Sequence, residues 1–287
     1  MSTFLIFGAT GPVGRPVLAR LRGVACVHAV SRSAAPDAAG AGWIRGDLSS
    51  EVPIADPVDV ILSLGPLDAF AAWFERSAPA GVRRIVALSS MSAESKQAST
   101  DPAERDLAAR LIAAEERLAR TARARAVAWT VLRPTLIYGD GRDRSLAPIA
   151  RLMRRWHVAP IPLGADGLRQ PVHVGDLADA VLACVDCAAT AGRIYPVGGG
   201  ERLRFDELLR RLRAVIPGLM LPLPLPFWLL RCAARFGGQH HFNAAAVARL
   251  RRPLVADNST AARDFGYAPR KFAAGDVLPA PGADGSA

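Results

Sequence analysis

Tyr267 and Lys271 stand four residues apart in the stretch YAPRK near the C-terminus. On a helix that spacing brings a phenol and an ammonium together, and the ammonium would lower the phenol's pKa until it can exchange a proton with a substrate. Pro269 lies between the two, and proline inside a helix breaks the turn that the pairing needs. DFGYAPRKF reads better as a helix end at Gly266 followed by an extended segment. The pair is a decoy, and the chemistry lies elsewhere in the chain.

Gly8, Gly11 and Gly14 form G-x-x-G-x-x-G directly after an apolar run, Phe4 to Phe7, and before an apolar pattern of helical period from Pro12 to Leu21. In such a turn the first glycine permits the bend, the second admits a pyrophosphate close to backbone, and the third lets helix pack on strand. Free N–H groups and a partial positive charge at the helix start favour a phosphate there. The loop residues Gly8, Thr10, Gly11, Pro12, Val13 and Gly14 are therefore the first cofactor-binding candidates. At the end of the second strand an acidic residue would bind ribose hydroxyls and repel a 2′-phosphate. Ser31 and Arg32 occupy that place in AVSRSAAP. A guanidinium pairs with phosphate, so NADP(H) is favoured over NAD(H); the alternative is that Arg32 is one more surface arginine. Asp47 and Leu48 in RGDLSS would meet the adenine, and Ser63, Leu64 and Gly65 in SLGPL the cofactor's middle.

The elements that must hold these residues alternate. Further apolar runs recur at VACVHAVS, VDVILSLG, RRIVALSS and AWTVLRPTLIYG, separated by the helical stretches LDAFAAWFERSA and PAERDLAARLIAAEERLARTARAR. This predicts an α/β fold, a Rossmann-type doubly wound parallel sheet with helices on both faces, and a smaller, mostly helical C-terminal part. The expected division is a dinucleotide-binding core over 1–140, a substrate-binding part over 141–274 with returns to the core, and a disordered tail over 275–287.

Charged residues make up 22% of the chain and hydrophobic ones 51%, an ordinary globular balance. The net charge of +10 comes from scattered arginines, with Lys96 and Lys271 the only lysines, as codon bias would produce. Aromatics at 6% do not suit a nucleic-acid-binding face. The opening MSTFLIFGATG lacks the pattern of a secretory signal, and four cysteines fit a reducing cytoplasm. No apolar stretch is long enough for a transmembrane segment; LPLPLPFWLLRCAARFG is the closest, and reads as the wall of a pocket rather than a membrane contact. Cys184 and Cys187 form C-x-x-C inside a helical stretch without a second pair, and read as packing residues rather than a metal site.

GATGPVG, GDL, VALSS, LRPTLIYG and PVHVGDLADAV, in this order, resemble the extended and atypical short-chain dehydrogenase/reductase superfamily, over about residues 3–270. GLRQPVHVGDLADAV and RIYPVGGGERLRFDELL look most similar to bacterial members and to the accessory-subunit branch of respiratory complex I. The resemblance implies that Ser89, Pro134 and Thr135 lie near the nicotinamide, that His173 and Asp176 border the substrate pocket, and that the protein forms a homodimer. It also implies a catalytic tyrosine and lysine on the helix PAERDLAARLIAAEERLA, where this chain has Leu107 and Leu111. That helix has neither residue type, and Arg110 stays protonated and cannot act as the base.

Other groups would then have to move the proton: Ser89, Ser90 and Ser92 after the fifth strand, Lys96 beyond them, Tyr138, or His173. Each also has a structural reading, Tyr138 as a packing residue and His173 as a helix cap. Arg142, Arg144 and Arg169 would favour an anionic substrate if they point inward. Two function classes follow. One is an NADPH-dependent oxidoreductase acting on a small carbonyl or sugar-nucleotide-like substrate. The other is a non-catalytic NADPH-binding scaffold or redox sensor with a protein partner. No hydrolase or zinc-protease motif is present.

Overall fold

The computed structural model describes residues 2–32, 41–49, 52–54, 57–77, 79–139, 141, 143, 145–236 and 244–279. The first strands are β1 (Thr3–Phe7), β2 (Cys26–Ser31), β3 (Gly42–Arg45), β4 (Val60–Ser63), β5 (Arg84–Leu88) and β6 (Ala128–Pro134). The helices among them are α1 (Gly14–Leu21), α2 (Leu67–Ser77), α3 (Ser92–Ser95) and α4 (Pro102–Ala124). Helix α1 begins two residues later than the periodicity predicts, because Gly11 still belongs to the turn and donates its N–H to the Gly8 carbonyl at 3.0 Å. Helix α4 starts where its chemistry allows: the Asp101 carboxylate accepts from the Ala103 N–H, and a proline stands in the first turn.

Beyond β6 come β7 (Ile137–Tyr138), α5 (Ala147–Trp156), β8 (Val158–Pro162), β9 (Leu168–Arg169), β10 (Val172–His173), α6 (Val174–Asp186), β11 (Arg193–Val197) and β12 (Leu203–Arg204). The remainder is α7 (Phe205–Val215), β13 (Leu221–Leu225), α8 (Phe227–Phe236), α9 (Ala244–Arg249) and α10 (Ser259–Phe265).

The central sheet has seven strands in the order β11-β6-β5-β4-β1-β2-β3, all paired in parallel. Successive side chains of a strand face opposite layers, so Phe4 and Ile6 pack with α1 and α6, while Leu5 and Phe7 pack with α2 and α4. The chain leaves β1 toward β2 and later returns on the other side of β1 with β4. The strand order therefore reverses between β1 and β4, and open α/β sheets bind ligands outside such a reversal.

A third core lies under the C-terminal part, from Tyr138, Met153, Leu208 and Leu212 to Phe272 and Val277. The tail is thus ordered for longer than its composition suggests. Residues Ala274–Val277 form a 3-10 turn, and Val277 is fully buried; from residue 280 the tail lies outside the described residues. The C-terminal part is mostly helical, as expected, with short strands between its helices. The proline-rich LPLPL forms β13, paired in parallel with β8; the Leu221 N–H donates to the His157 carbonyl and the Leu163 N–H to the Leu225 carbonyl, both at 2.9 Å. The ribbon leaves Leu221 69% exposed, and the start of α8 beside it leaves Trp228 66% exposed. Among the described residues no helix is long and apolar enough to cross a membrane.

Candidate functional site

The glycine loop sits at the reversal. Gly8 has φ +79°, a conformation that L side chains rarely adopt, and a Cβ there would lie 2.8 Å from the Leu64 carbonyl carbon. The loop after β1 therefore presses against the backbone of Leu64 and Gly65. A Cβ on Gly14 would meet the Gly8 carbonyl oxygen at 2.2 Å, so the start of α1 is wedged onto the strand end. No side chain caps α1 and its first turn holds no acid. The Arg15 N–H donates to the Gly11 carbonyl at 3.2 Å and Pro16 has none to give, so the donors that would meet a dinucleotide's pyrophosphate are those of Val13 and Gly14 at the loop end, with the helix dipole behind them. The residues present fit the cofactor.

Ser63, Leu64 and Gly65 end β4 beside this loop, with the Leu64 N–H donating to the Phe7 carbonyl at 2.9 Å. The Ser63 hydroxyl is fully enclosed and has no hydrogen-bond partner. At the far side, Ser31 ends β2 next to β3, its carbonyl accepting from the Gly46 N–H at 3.0 Å, and Arg32 is exposed. The Asp47 carboxylate accepts from both the N–H and the hydroxyl of Ser49 at 2.6 Å. Those bonds, ahead of the nearby Arg32 charge, hold it below the usual carboxylate range. The Leu48 carbonyl accepts from Arg76.

Several groups expected near the nicotinamide are engaged with protein. The Ser89 hydroxyl donates to Glu115 at 2.5 Å, and the Thr135 hydroxyl donates to the Gln170 carbonyl. The Pro134 carbonyl accepts from the Met91 N–H at 3.0 Å, and the Ser90 hydroxyl accepts from the Ser92 N–H at 3.1 Å. Tyr138 is fully buried, edge-on to His173 and Phe272. Its hydroxyl accepts from the Ala273 N–H at 3.1 Å, and burial pushes its pKa up. His173 caps α6, Nδ1 accepting from the Gly175 N–H at 3.0 Å. Asp176 lines a small pocket of about 170 Å³, and its carboxylate accepts from the Arg270 N–H at 2.9 Å and from its guanidinium at 2.7 Å. Arg142 and Arg144 lie outside the described residues.

Lys96 differs from these. It follows α3, its side chain is 19% exposed, and Nζ lies 3.4 Å from Glu104 Oε1. Burial first, then the Arg249 charge, lowers its pKa. With Ser92 it lines a cavity of about 550 Å³ that extends under the C-terminal part. Leu209, Leu225, Leu230 and Val247 form apolar walls, and Arg169, Arg249 and Arg252 add positive charge. The expectation that LPLPLPFWLL walls a pocket is met by Leu225 and Leu230, while Trp228 faces solvent. Arg169 is buried, stacks 5.4 Å over the Phe205 ring, and donates to the carbonyls of Leu168, Arg249 and Arg252. Burial lowers its pKa to about 10.

Glu115, Glu104 and Gln170 were not among the sequence candidates. Glu115 carried a signal, since Ala108, Leu111, Glu115, Leu118 and Ala122 form one helical stripe and an acid on a buried stripe needs a partner. Gln170 carried none, because its partners Gly199 and Ala256 are remote in sequence; Glu104 lies near Ser99 and Lys96 in the chain, but its link to Arg249 is visible only in the fold. Tyr267 and Lys271 are not a pair: Tyr267 is buried and donates to the Gly198 carbonyl at 2.9 Å, whereas Lys271 is exposed. Helix α10 ends at Gly266 with φ +71°, as DFGYAPRKF predicts. Cys184 is fully buried and Cys187 donates to the Asp264 carbonyl; both are free thiols.

The reversed strand order, the glycine wedge and the uncapped helix start define a Rossmann-type NAD(P)-binding protein. Residues 8–149 match a family described as NAD(P)H-binding. A UDP-glucose 4-epimerase of Vibrio cholerae is 26% identical over 158 residues, 54% of this chain and 46% of that protein. A mitochondrial NADH dehydrogenase [ubiquinone] 1 alpha subcomplex subunit 9 of Dictyostelium discoideum is 31% identical over 80 residues, 28% of this chain and 22% of that one. The matched stretches span less than half the length of these relatives. Among solved structures, an NAD-bound short-chain dehydrogenase/reductase superfamily protein of Agrobacterium tumefaciens aligns with a TM-score of 0.69 at 15% identity, covering 96% of this chain and 94% of that one. An NAD complex of UDP-glucuronic acid 4-epimerase from Bacillus cereus gives 0.69 at 12% identity, with coverage of 96% and 94%. The resemblance to the extended, epimerase-like short-chain dehydrogenase/reductase superfamily thus holds in sequence and in fold.

Proposed function

We propose that the protein is an NADP(H)-dependent oxidoreductase that acts on a carbonyl compound held in the cavity beneath α3. The observation that carries this reading is the position of Lys96: half-buried, its pKa lowered, and lining a cavity just beyond the end of β5. When bound, the cofactor supplies a hydride for a carbonyl carbon. The chain's part is then to orient that carbonyl and give its oxygen a proton. The Lys96 ammonium is the proposed donor, recharged from solvent, and Ser92 is the hydroxyl beside it that can steady the oxygen. Tyr138 and His173 are proposed as structural: Tyr138 is fully buried between His173 and Phe272, and His173 Nδ1 caps the start of α6.

A second reading, a non-catalytic NADPH-binding scaffold or redox sensor, is favoured by one observation. Leu107 and Leu111 stand on α4, at the places that the resemblance gives to the superfamily's tyrosine and lysine. The deciding experiment is dinucleotide titration followed by NADPH consumption against aldehydes, ketones, quinones and sugar nucleotides. Turnover that falls in Lys96→Met supports the enzyme. Binding without turnover selects the scaffold, and no binding of either dinucleotide overturns both.

A further inference from the structure

The cavity is built for a particular kind of molecule. Its walls are leucines, a valine and prolines, yet four cations line it: Lys96, Arg169, Arg249 and Arg252. Behind the lining, Glu104 pairs with Lys96 and Arg249, and Asp101 acts on the same two at longer range. Four cations against these two carboxylates leave a positive surplus at Arg169 and Arg252. Among the described residues, the Arg252 guanidinium donates only to the Ala98 carbonyl, at 3.5 Å.

Arg169 is the sharper case. Three carbonyls accept from its guanidinium, which has five N–H groups to give. No carboxylate among the described residues pairs with it. A buried guanidinium without a counter-ion is costly, and an anion delivered by a ligand would remove that cost. A sugar nucleotide, with two hydroxylated sugars joined by a diphosphate, does not match leucine and proline walls, whose desolvation rewards apolar surface.

We propose that this cavity binds an amphipathic anion: an apolar chain or ring body against Leu209, Leu225, Leu230 and Val247, ending in a carboxylate held by Arg169. The proposal deepens the reading of the cavity as a substrate site, and names the substrate as an apolar oxo- or hydroxy-acid rather than a nucleotide sugar.

The test is calorimetric titration of the full chain with octanoate, octanol, octylammonium and UDP-glucose, with NADPH binding measured on the same samples. Octanoate should bind at least about tenfold more tightly than octanol, the value of one charge-assisted bond, and octylammonium and UDP-glucose should not bind in the cavity. Arg169→Met should remove the preference for octanoate over octanol. Because Arg169 also ties three carbonyls, that variant can misfold; Leu230→Trp, which fills the cavity from its wall, should then abolish binding of both while leaving the fold and NADPH binding intact. Equal affinity for octanol and octanoate, displacement of octanoate by UDP-glucose, or octanoate binding that survives Leu230→Trp would overturn the proposal. Loss of NADPH binding in the unmodified chain would instead refute the dinucleotide reading, since octanoate binding is read separately.

Discussion

Arg133 and Glu115 form a two-pronged ion pair that joins β6 to α4, with Nε to Oε1 at 2.9 Å and a second contact through Nη2. Glu115 is 2% exposed, and the same carboxylate takes the Ser89 hydroxyl. The pair fixes the helix that faces the end of β5, and its bonds to Glu115 raise the Arg133 pKa above its ordinary value. Removing one member of a buried pair strands the other, at a cost of about 3–5 kcal/mol. Glu115→Ala should therefore lower the melting temperature by roughly 6–20 °C, at about 2–4 °C per kcal/mol for a chain of this size. Glu94→Ala, which removes only the half-exposed outer partner of Arg133, should cost at most about 1 kcal/mol. Equal losses in thermal denaturation would show that the inner pair has no special weight.

The glycine loop makes a graded prediction. A Cβ at Gly14 would lie 2.2 Å from the Gly8 carbonyl and 2.5 Å from the Ala9 carbonyl, whereas one at Gly11 would meet only the Gly8 carbonyl at 3.1 Å. Gly14→Ala should weaken NADPH by at least about tenfold, the equivalent of one charge-assisted bond lost to the displaced phosphates. Gly11→Ala should cost less if the bound phosphate leaves its Cβ room, and Gly275→Ala, with nothing near its added carbon, should cost nothing. Fluorescence titration of all three, with circular dichroism to confirm folding, checks the order.

Arg32 tests cofactor choice. It is exposed at the end of β2, where its guanidinium could meet a 2′-phosphate with a bidentate pair. Arg32→Ala should weaken NADPH by about tenfold or more and NADH hardly at all. Equal losses for the two would refute the preference for NADP(H).

His173 gives a pH dependence of known sign. Burial first, then the Arg270 charge, lowers its pKa from the ordinary 6.5, with Asp276 and Asp176 opposing. Because the folded pKa lies below the unfolded one, the unfolded chain takes up the proton first as pH falls. The contribution of His173 is complete above about pH 6.5 and is lost as pH falls through the folded pKa. His173→Asn keeps an oxygen to cap α6 and has no titrating ring. Its melting temperature should fall less between pH 6.5 and 5 than that of the parent, and parallel curves would sink the assignment.

The central sheet and the glycine loop were legible because each depends on short-range pattern: apolar runs of strand length, and glycines at fixed spacing before a helical period. The short pairs β7–β10 and β9–β12 were not, since two residues carry no period. Strand β13 was hidden by its prolines, which argue against a strand in the middle of a sheet. The cavity's basic lining was missed for another reason. Lys96, Arg169, Arg249 and Arg252 come from three distant segments, and only tertiary folding shows that they face one space. Tyr138 and His173 have the right chemistry by type, and are tied up by N–H groups that no sequence pattern announces.

The ribbon of β8 and β13 has prolines at alternate positions, Pro160 and Pro162 in one strand and Pro222 and Pro224 in the other. The bonds from Leu221 to His157 and from Leu163 to Leu225 fix which backbone groups face inward. In a parallel ladder the alternate residues point away from the partner, and in both strands these are the prolines. Neither outer edge of the ribbon can therefore offer a ladder of N–H donors to another chain. An exposed leucine-rich edge is ordinarily a template for intermolecular strand addition and fibril growth. Here the backbone itself refuses the incoming strand, which lets the protein display leucine and tryptophan at that surface without recruiting copies of itself into a growing sheet.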